Sequence, residues 1–248
     1  MTKDSFYDHF HQDKPTRAGM RLSAAMCRRI FDFAAVTAGK KVLEIGPGRG
    51  AFADLCLQHG IEYTAVEANQ SLAESLRGRG GRVVEARVPP LPPLDQRFDF
   101  VVMINVMEHM NDMREALHVA QQIREHLEPG GRFVVCSPDY LNLRAHFFNC
   151  DFSHNYVTTQ RRLAQLLISA GYGGTQSCYI AGPFSGAVAV LLAACVARLP
   201  FGAFHAWFPR NRFFSKLYKI QLSLSRKVLV VGENGGRPER SHGHESYE

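Results

Sequence analysis

Three glycines at alternate positions follow a short apolar segment, and such a loop can hold a ligand. The segment Lys41-Val42-Leu43-Glu44-Ile45 leads into Gly46-Pro47-Gly48-Arg49-Gly50, and an apolar helix is predicted over residues 51–59. Val, Leu and Ile are typical of a buried parallel strand. Glycines in the turn after a strand allow a sharp bend and the close approach of a ligand to the N–H groups of the next helix. The sequence therefore predicts a binding loop at the end of this strand.

Two acidic residues narrow the ligand class. The loop alone also fits the G-x-G-x-x-A pattern of dinucleotide-binding proteins. Glu44, however, lies just before the first glycine, where it would repel a pyrophosphate and favour a cation or an α-ammonium group. Glu67 ends a second predicted strand, 21 residues after Gly46 (67 − 46). That spacing is expected for a carboxylate that accepts hydrogen bonds from ribose hydroxyls.

Four motifs in this order resemble the class I S-adenosylmethionine-dependent methyltransferases. They are Val42–Gly50, Val66–Asn69, Phe98–Val102 together with Asn105–His109, and Leu127–Val135. The resemblance covers about residues 40–180 and implies an α/β fold. The expected architecture is a Rossmann-like, seven-stranded, mostly parallel sheet with helices on both faces and an antiparallel last strand. The implied cofactor is S-adenosyl-L-methionine, with S-adenosyl-L-homocysteine as product, and the acceptor is of the small-molecule, glycan or lipid type.

The resemblance also implies a set of cofactor-binding residues. The glycine loop would hold the methionine part of the cofactor and Glu67 the ribose. Many relatives use an acid to bind the adenine amino group where this chain has Arg87, which leaves Glu85 or a backbone group for that role. The residues after the fourth strand would border the cofactor. The full predicted set is Glu44, Gly46, Pro47, Gly48, Gly50, Glu67, Ala68, Glu85, Ala86, Asn105 and Val106.

Two histidines are candidate catalytic bases. His109 follows the fourth strand and His154 lies in the loop after the fifth, both at the edge where a ligand is expected. Neutral histidine can remove a proton from a hydroxyl acceptor near neutral pH. A purely structural role for His109, near Asn105, is an equal alternative. Glu108 and His109 are adjacent, as in some metal-assisted methyltransferases, but no further His or Glu at suitable spacing completes a ligand set. The sequence therefore predicts no metal site.

Charge is distributed unevenly along the chain. The net charge is +6, yet residues 152–232 contain nine Lys and Arg and no acid. Such a segment indicates an anionic partner. Stacking residues interleaved with Arg and Lys on a strand are not evident, so nucleic acid is not the expected partner. Six cysteines are scattered without a C-x-x-C pair and indicate reduced core residues.

The expected organisation is a helical cap over residues 1–36, a methyltransferase domain over 37–232 and a disordered tail over 233–248. The cap comprises helices at Ser5–His11 and Arg17–Ala35, with Tyr7 and Phe10 as lid aromatics or as simple packing residues. No regular element is expected over residues 137–157. An insertion at about 182–225 separates the last two strands. Its aromatic and lysine faces are typical of an interfacial helix, whereas a substrate lid or a homodimer contact is an equal alternative.

The function predicted from these features is methylation of an oxygen on a small-molecule, glycan or lipid-linked acceptor. Alternatives from other classes are an NAD-dependent dehydrogenase and a non-catalytic nucleoside-binding scaffold. The first residues contain no apolar core, so no signal peptide is predicted. The apolar run 186–197 is shorter than the ~20 residues that span a bilayer. A cytoplasmic protein, in contact with the inner face of a membrane, is the expectation.

Overall fold

A computed structural model of the protein describes residues 16–235. The predicted helix at Ser5–His11 with Tyr7 and Phe10, and nearly all of the predicted tail, lie outside the described residues. The first described helix, α1 (Arg17–Ala34), begins after Thr16, whose side chain accepts a hydrogen bond from the Gly19 amide. Met26, Cys27, Ile30 and Phe31 of this helix are buried and pack in one core with residues of the sheet.

A single sheet forms the centre of the molecule. Its strands run in the order β3-β2-β1-β4-β5-β8-β6-β7, and the first five are parallel. β8 lies antiparallel between β5 and β6, which confirms the predicted antiparallel last strand. The two-residue strand β7 pairs with the edge of β6, which makes eight strands where seven were expected. The strands are β1 (Lys41–Ile45), β2 (Glu62–Glu67), β3 (Arg82–Glu85), β4 (Phe98–Ile104), β5 (Leu127–Pro138), β6 (Gly173–Ala181), β7 (Phe184–Ser185) and β8 (Lys227–Glu233).

Helices cover both faces of the sheet. They are α2 (Ala51–Gln58), α3 (Gln70–Arg77), α4 (Met113–Glu125), α5 (Tyr140–Leu143), α6 (His146–Asn149), α7 (Gln160–Ser169), α8 (Gly186–Val196), α9 (Phe201–Trp207) and α10 (Arg212–Ser223). A 3₁₀ turn, Met107–His109, follows β4. Helices α1 and α2 pack on one face with Val42 and Val102, while α4 and α7 pack on the other with Leu43 and Val101. Alternate residues of each central strand therefore serve two separate cores.

The segment after β5 differs from the prediction. Residues 137–157 contain two one-turn helices, α5 and α6, where no regular element was expected. Asp139 caps α5 by accepting from the Leu141 amide and also forms a salt bridge with Arg226 at 2.6 Å. Because a capping side chain and an ion pair with a distant residue, just before β8, both fix this segment, periodicity along the sequence could not reveal it.

The predicted insertion forms a three-helix arm. Ala189, Ala193 and Val196 of α8 are buried, and Gln221 of α10 donates to the carbonyls of Val196 and Leu199. Asn211 caps α10 by accepting from the amides of Phe213 and Phe214. By length and composition alone the stretch Gly186–Trp207 could cross a membrane, and 11% of its 18-residue apolar window is buried. Here it is divided into α8 and α9 by a turn at Pro200.

Candidate active site

The glycine loop lies at the carboxyl edge of the sheet, where β1 and β4 end side by side. Gly46 has a φ of +67°, and a Cβ placed on it would lie 2.7 Å from Cγ2 of Val106. Any larger residue would therefore push the loop away from the end of β4. The structure thus brings together Gly46 and Val106, which were predicted as cofactor-binding residues from separate motifs.

Gly48 occupies the open side of the loop. Its φ is +54°, and no atom lies within 4 Å of a Cβ placed there. Its amide donates to Oε2 of Glu67 at 3.2 Å, and the Asn69 amide donates to Oε1 at 2.8 Å. Burial raises the pKa of Glu67, which these amides oppose. Glu67, the predicted hydrogen-bond acceptor for the ribose hydroxyls, is therefore held beside the open space at Gly48.

Glu44 lies beneath the loop rather than in the open space. It is 2% exposed, and Oε2 accepts a hydrogen bond of 2.6 Å from the Tyr63 hydroxyl. Burial raises the pKa of Glu44 to about 7. If Glu44 favours a cationic ligand, as predicted, its charge would therefore act from beneath the loop.

Two other predicted cofactor residues have protein partners instead. A Cβ on Gly50 would meet Leu76 and the guanidinium of Arg79 at 2.6 Å, so this glycine permits the packing of α3. Glu85, the candidate for adenine, is exposed and forms a salt bridge with Arg77. Neither contact could be predicted from spacing, because both depend on how α3 returns across the loop.

The remaining predicted cofactor residues line the same edge. Ala68 is exposed directly after Glu67, and the Ala86 amide donates to the carbonyl of Glu67 at 3.2 Å. Pro47 is buried within the glycine loop. Asn105 is exposed, and it adopts the left-handed conformation with φ of +54° as the chain leaves β4. The motifs predicted separately thus meet at one edge of the sheet.

The two predicted catalytic histidines lie side by side. Their ring centroids are 5.0 Å apart, and the His154 ring also contacts Phe147 at 4.8 Å. A turn at Asp151 holds this arrangement: its carboxylate accepts from the amide and the hydroxyl of Ser153. The amides of Asn155 and Tyr156 donate to the carbonyl of Glu108 at 3.0 Å each, which joins the loop to the 3₁₀ turn.

A hydrogen bond fixes the tautomer of His154. Its Nδ1 lies 2.7 Å from the Phe147 carbonyl oxygen, which can only accept, so Nδ1 carries the proton and Nε2 the lone pair. Nδ1 of His109 lies 2.8 Å from Oγ of Ser153, whose own proton goes to Asp151, and the His109 ring also interacts with the backbone of Asn105. Burial lowers the pKa of His154 and of His109, which favours these neutral forms.

Glu108 completes the cluster and was not predicted as a site residue. It is fully buried, and burial raises its pKa to about 7. Oε2 accepts from the Ser137 hydroxyl at 3.0 Å, whereas Oε1 has no hydrogen-bond partner. The carboxylate and the two imidazoles have one ligand atom each within 4.8 Å of one another. His154 thus supplies the third metal-donor atom of the cluster, which the spacing of residues along the sequence did not reveal.

The edge as a whole fits a charged sulfur nucleoside. A side-chain-free position lies beside a carboxylate that is already oriented by two amides. A ribose diol needs such an acceptor, and the methionine part needs the space over the glycines. Together with the strand order, this edge defines a Rossmann-like nucleoside-binding domain of the methyltransferase type.

Comparison with known proteins identifies the family. A family model described as a methyltransferase domain matches residues 16–177. The chain belongs to this family and carries an S-adenosylmethionine-dependent methyltransferase domain. A demethylmenaquinone methyltransferase of Tropheryma whipplei is 30% identical over 105 residues, which cover 41% of this chain and 43% of that protein. An O-methyltransferase, resE, of Aspergillus sclerotiorum is 30% identical over 130 residues, 49% of this chain and 47% of that protein. The chain thus spans less than half the length of these curated relatives.

Solved structures share the fold. A SAM-dependent methyltransferase from Archaeoglobus fulgidus superposes with a TM-score of 0.59 at 18% identity, over 94% of this chain and all of that one (100%). A putative methyltransferase of Haloferax volcanii, solved with the Trm112 activator, gives a TM-score of 0.60 at 15% identity over 86% of this chain and 90% of the other. At these identities the likeness concerns the fold alone.

Proposed function

We propose that this protein transfers the methyl group of S-adenosylmethionine to an oxygen atom of a small-molecule, glycan or lipid-linked acceptor. The observation that carries the proposal is the position of Gly48 and Glu67 at the same sheet edge as the histidine pair. The methyl sulfonium supplies an electrophilic carbon. The protein must then align the acceptor oxygen in line with the methyl–sulfur bond and exclude water, which can contribute several kcal/mol.

In this proposal the loop residues Gly46, Pro47 and Gly48 bind the methionine part, and Glu67 with Ala68 binds the ribose. Asn105, Val106 and Ala86 border the nucleoside, while Glu44 and Gly50 support the loop from beneath and behind. Glu85 reaches adenine only if it leaves Arg77.

His154 is the proposed general base. Its Nδ1–H is held by the Phe147 carbonyl, so the Nε2 lone pair is available for the proton of the acceptor hydroxyl. As the new C–O bond forms and the methyl–sulfur bond breaks, that proton passes to Nε2. A positioned base of this kind contributes about 10²–10⁴-fold. His109, whose ring contacts His154, orients it or takes the base role itself.

The arm α8–α10 supports the proposed acceptor class. Its exposed apolar side chains include Leu191, Trp207 and Phe213, and no acid occurs in residues 152–232. An apolar surface flanked by positive charge fits the headgroup region of an anionic bilayer. The demethylmenaquinone named for one relative is consistent with an acceptor at a membrane. We therefore place the protein at the cytoplasmic face of a membrane; a homodimer through the arm is the competing arrangement.

Ligand-dependent thermal stability tests the function. S-adenosylhomocysteine should raise the melting temperature of the full chain, because a ligand that binds only the folded state stabilises it. NAD should not. Protection by NAD instead would indicate the dehydrogenase alternative. Protection by S-adenosylhomocysteine without methyl transfer to any acceptor in a lipid and glycan panel would indicate a nucleoside-binding scaffold.

A further inference from the structure

The geometry points to a divalent transition-metal site formed by Glu108, His109 and His154. Each of these side chains contributes one donor atom, and the three donor atoms lie within 4.8 Å of one another. Glu108 and His109 come from the 3₁₀ turn after β4, whereas His154 comes from the loop after α6. Two separate segments therefore converge on one small volume.

One oxygen of the Glu108 carboxylate has no hydrogen-bond partner. One oxygen accepts from the Ser137 hydroxyl, but Oε1 is buried and forms no hydrogen bond. A buried polar atom without a partner is costly, so native proteins rarely keep one. Lys227 acts on this carboxylate electrostatically, yet no salt bridge joins the two side chains. A bound cation would satisfy the unpaired oxygen.

The outer hydrogen bonds of the histidines are those of metal ligands. Such histidines donate their second ring N–H to a carbonyl or to an acidic group, which orients the ring and directs the other nitrogen to the ion. His154 donates to the Phe147 carbonyl. His109 donates to Ser153, which in turn donates to Asp151. The contact with Phe147 places the lone pair of His154 on Nε2.

The donor set selects the class of ion. Two imidazoles and one carboxylate suit Zn²⁺, Fe²⁺ or Co²⁺, whereas Mg²⁺ and Ca²⁺ prefer oxygen ligands alone. Three protein ligands leave positions open for water or for an oxygen of another molecule. An oxygen of the proposed acceptor could occupy such a position.

This inference rests on the proposed function only where it assigns an open coordination position of the ion to the methyl acceptor. The ion would occupy Nε2 of His154, which the proposed base role also needs. The two roles therefore exclude each other at that nitrogen, and a binding measurement separates them without an activity assay.

The test is titration of the full chain, without a polyhistidine tag and after chelator treatment, with Co²⁺ and Zn²⁺. We expect one ion per chain by calorimetry, and visible absorption bands of Co²⁺ bound by nitrogen and oxygen ligands. Glu108→Gln and His154→Ala should each weaken binding by roughly tenfold or more. His118→Ala removes an exposed histidine of α4 and should bind as the wild type does.

Two results would overturn the site: no stoichiometric ion in the wild type, or equal binding by all four proteins. Binding of S-adenosylhomocysteine, measured in parallel, shows that each variant is folded. A chain that binds S-adenosylhomocysteine but no ion refutes the metal site and leaves the proposed function intact. A chain that binds the ion but not S-adenosylhomocysteine supports the metal site and refutes the proposed function.

Discussion

The amide of Gly48 donates to Oε2 of Glu67 across 3.2 Å, which joins the first loop of the sheet to the end of its second strand. Because the Asn69 amide holds the other carboxylate oxygen, Glu67 is oriented without any ligand. Preorganisation of this kind reduces the entropy cost of binding. The ribose acceptor and the open position above the glycine are thus built as one unit.

Gly48→Ala should abolish cofactor binding and lower stability only by the cost of its left-handed backbone. A Cβ there meets no protein atom, so the left-handed backbone alone costs about 1–2 kcal/mol, but the methyl group projects into the proposed ligand space. Gly39→Ala is a matched control, since Gly39 also has a positive φ and open surroundings. Calorimetry with S-adenosylhomocysteine and urea unfolding measure both effects. Equal loss of affinity in the two variants would contradict the assigned space.

Glu67→Gln should weaken S-adenosylhomocysteine binding by about 10–100-fold. The amide has only one acceptor oxygen, so it cannot serve the Gly48 and Asn69 amides and a ribose diol together, and each charge-assisted hydrogen bond is worth about 1.5–3 kcal/mol. Glu62→Gln, exposed at the start of β2, is the control and should leave affinity unchanged. Wild-type affinity in Glu67→Gln would remove Glu67 from the ribose site.

Stability should fall as the pH rises from about 4.5 to 7. Glu44 has an ordinary pKa of 4.5 that burial raises to about 7 in the folded chain, so between these values the folded state binds a proton that the unfolded state lacks. Glu44→Gln keeps an acceptor for Tyr63 and cannot ionise. The variant should be up to about 3 kcal/mol more stable than the wild type at pH 8. Urea unfolding from pH 5 to pH 8 measures the difference; parallel curves would show that Glu44 is ionised throughout.

His154→Ala should retain S-adenosylhomocysteine affinity and lose most turnover. The residue contacts Phe147 and His109 but no predicted cofactor-binding residue, so the nucleoside site should persist. The loss expected for a general base is about 10²–10⁴-fold in kcat. An assay with a methyl acceptor from the lipid or glycan panel measures it. Unchanged turnover would exclude both the base role and a catalytic metal at this residue.

Trp207→Ala and Phe213→Ser should reduce binding to vesicles that contain phosphatidylglycerol. Both side chains are exposed, by 72% and 63%, on the acid-free arm. Binding by the wild type should weaken as salt rises, because the positive charges act through the surface potential. Met113→Ser, at a side chain 61% exposed on α4, is the matched control. Equal sedimentation of all proteins would refute the membrane surface, and loss of a dimer by light scattering would indicate the self-contact.

Local patterns predicted most of the sheet and the helix ends. The apolar run of β1, the start of a helix at Thr158 or Thr159 and the start of another at Asn211 depend on residues adjacent in sequence; the strand is observed, and the helices begin after Thr159 and Asn211. The position of His154 beside Glu108 depends instead on the Asp151 turn and on two amides that reach the Glu108 carbonyl. The pairing of Glu85 with Arg77 is of the same kind. Contacts between distant segments carry no periodic signal, so they could not be predicted.

The arm has one further consequence, for how this protein could diversify. Ile180 of β6 and Lys227 of β8 are direct register partners, so the chain leaves and rejoins the sheet at neighbouring positions. A tight hairpin could close that gap, because antiparallel neighbours need only about two linking residues. Evolution or protein engineering could therefore replace the whole arm and redirect the enzyme to new acceptors, while the residues proposed to bind the methyl donor stay unchanged.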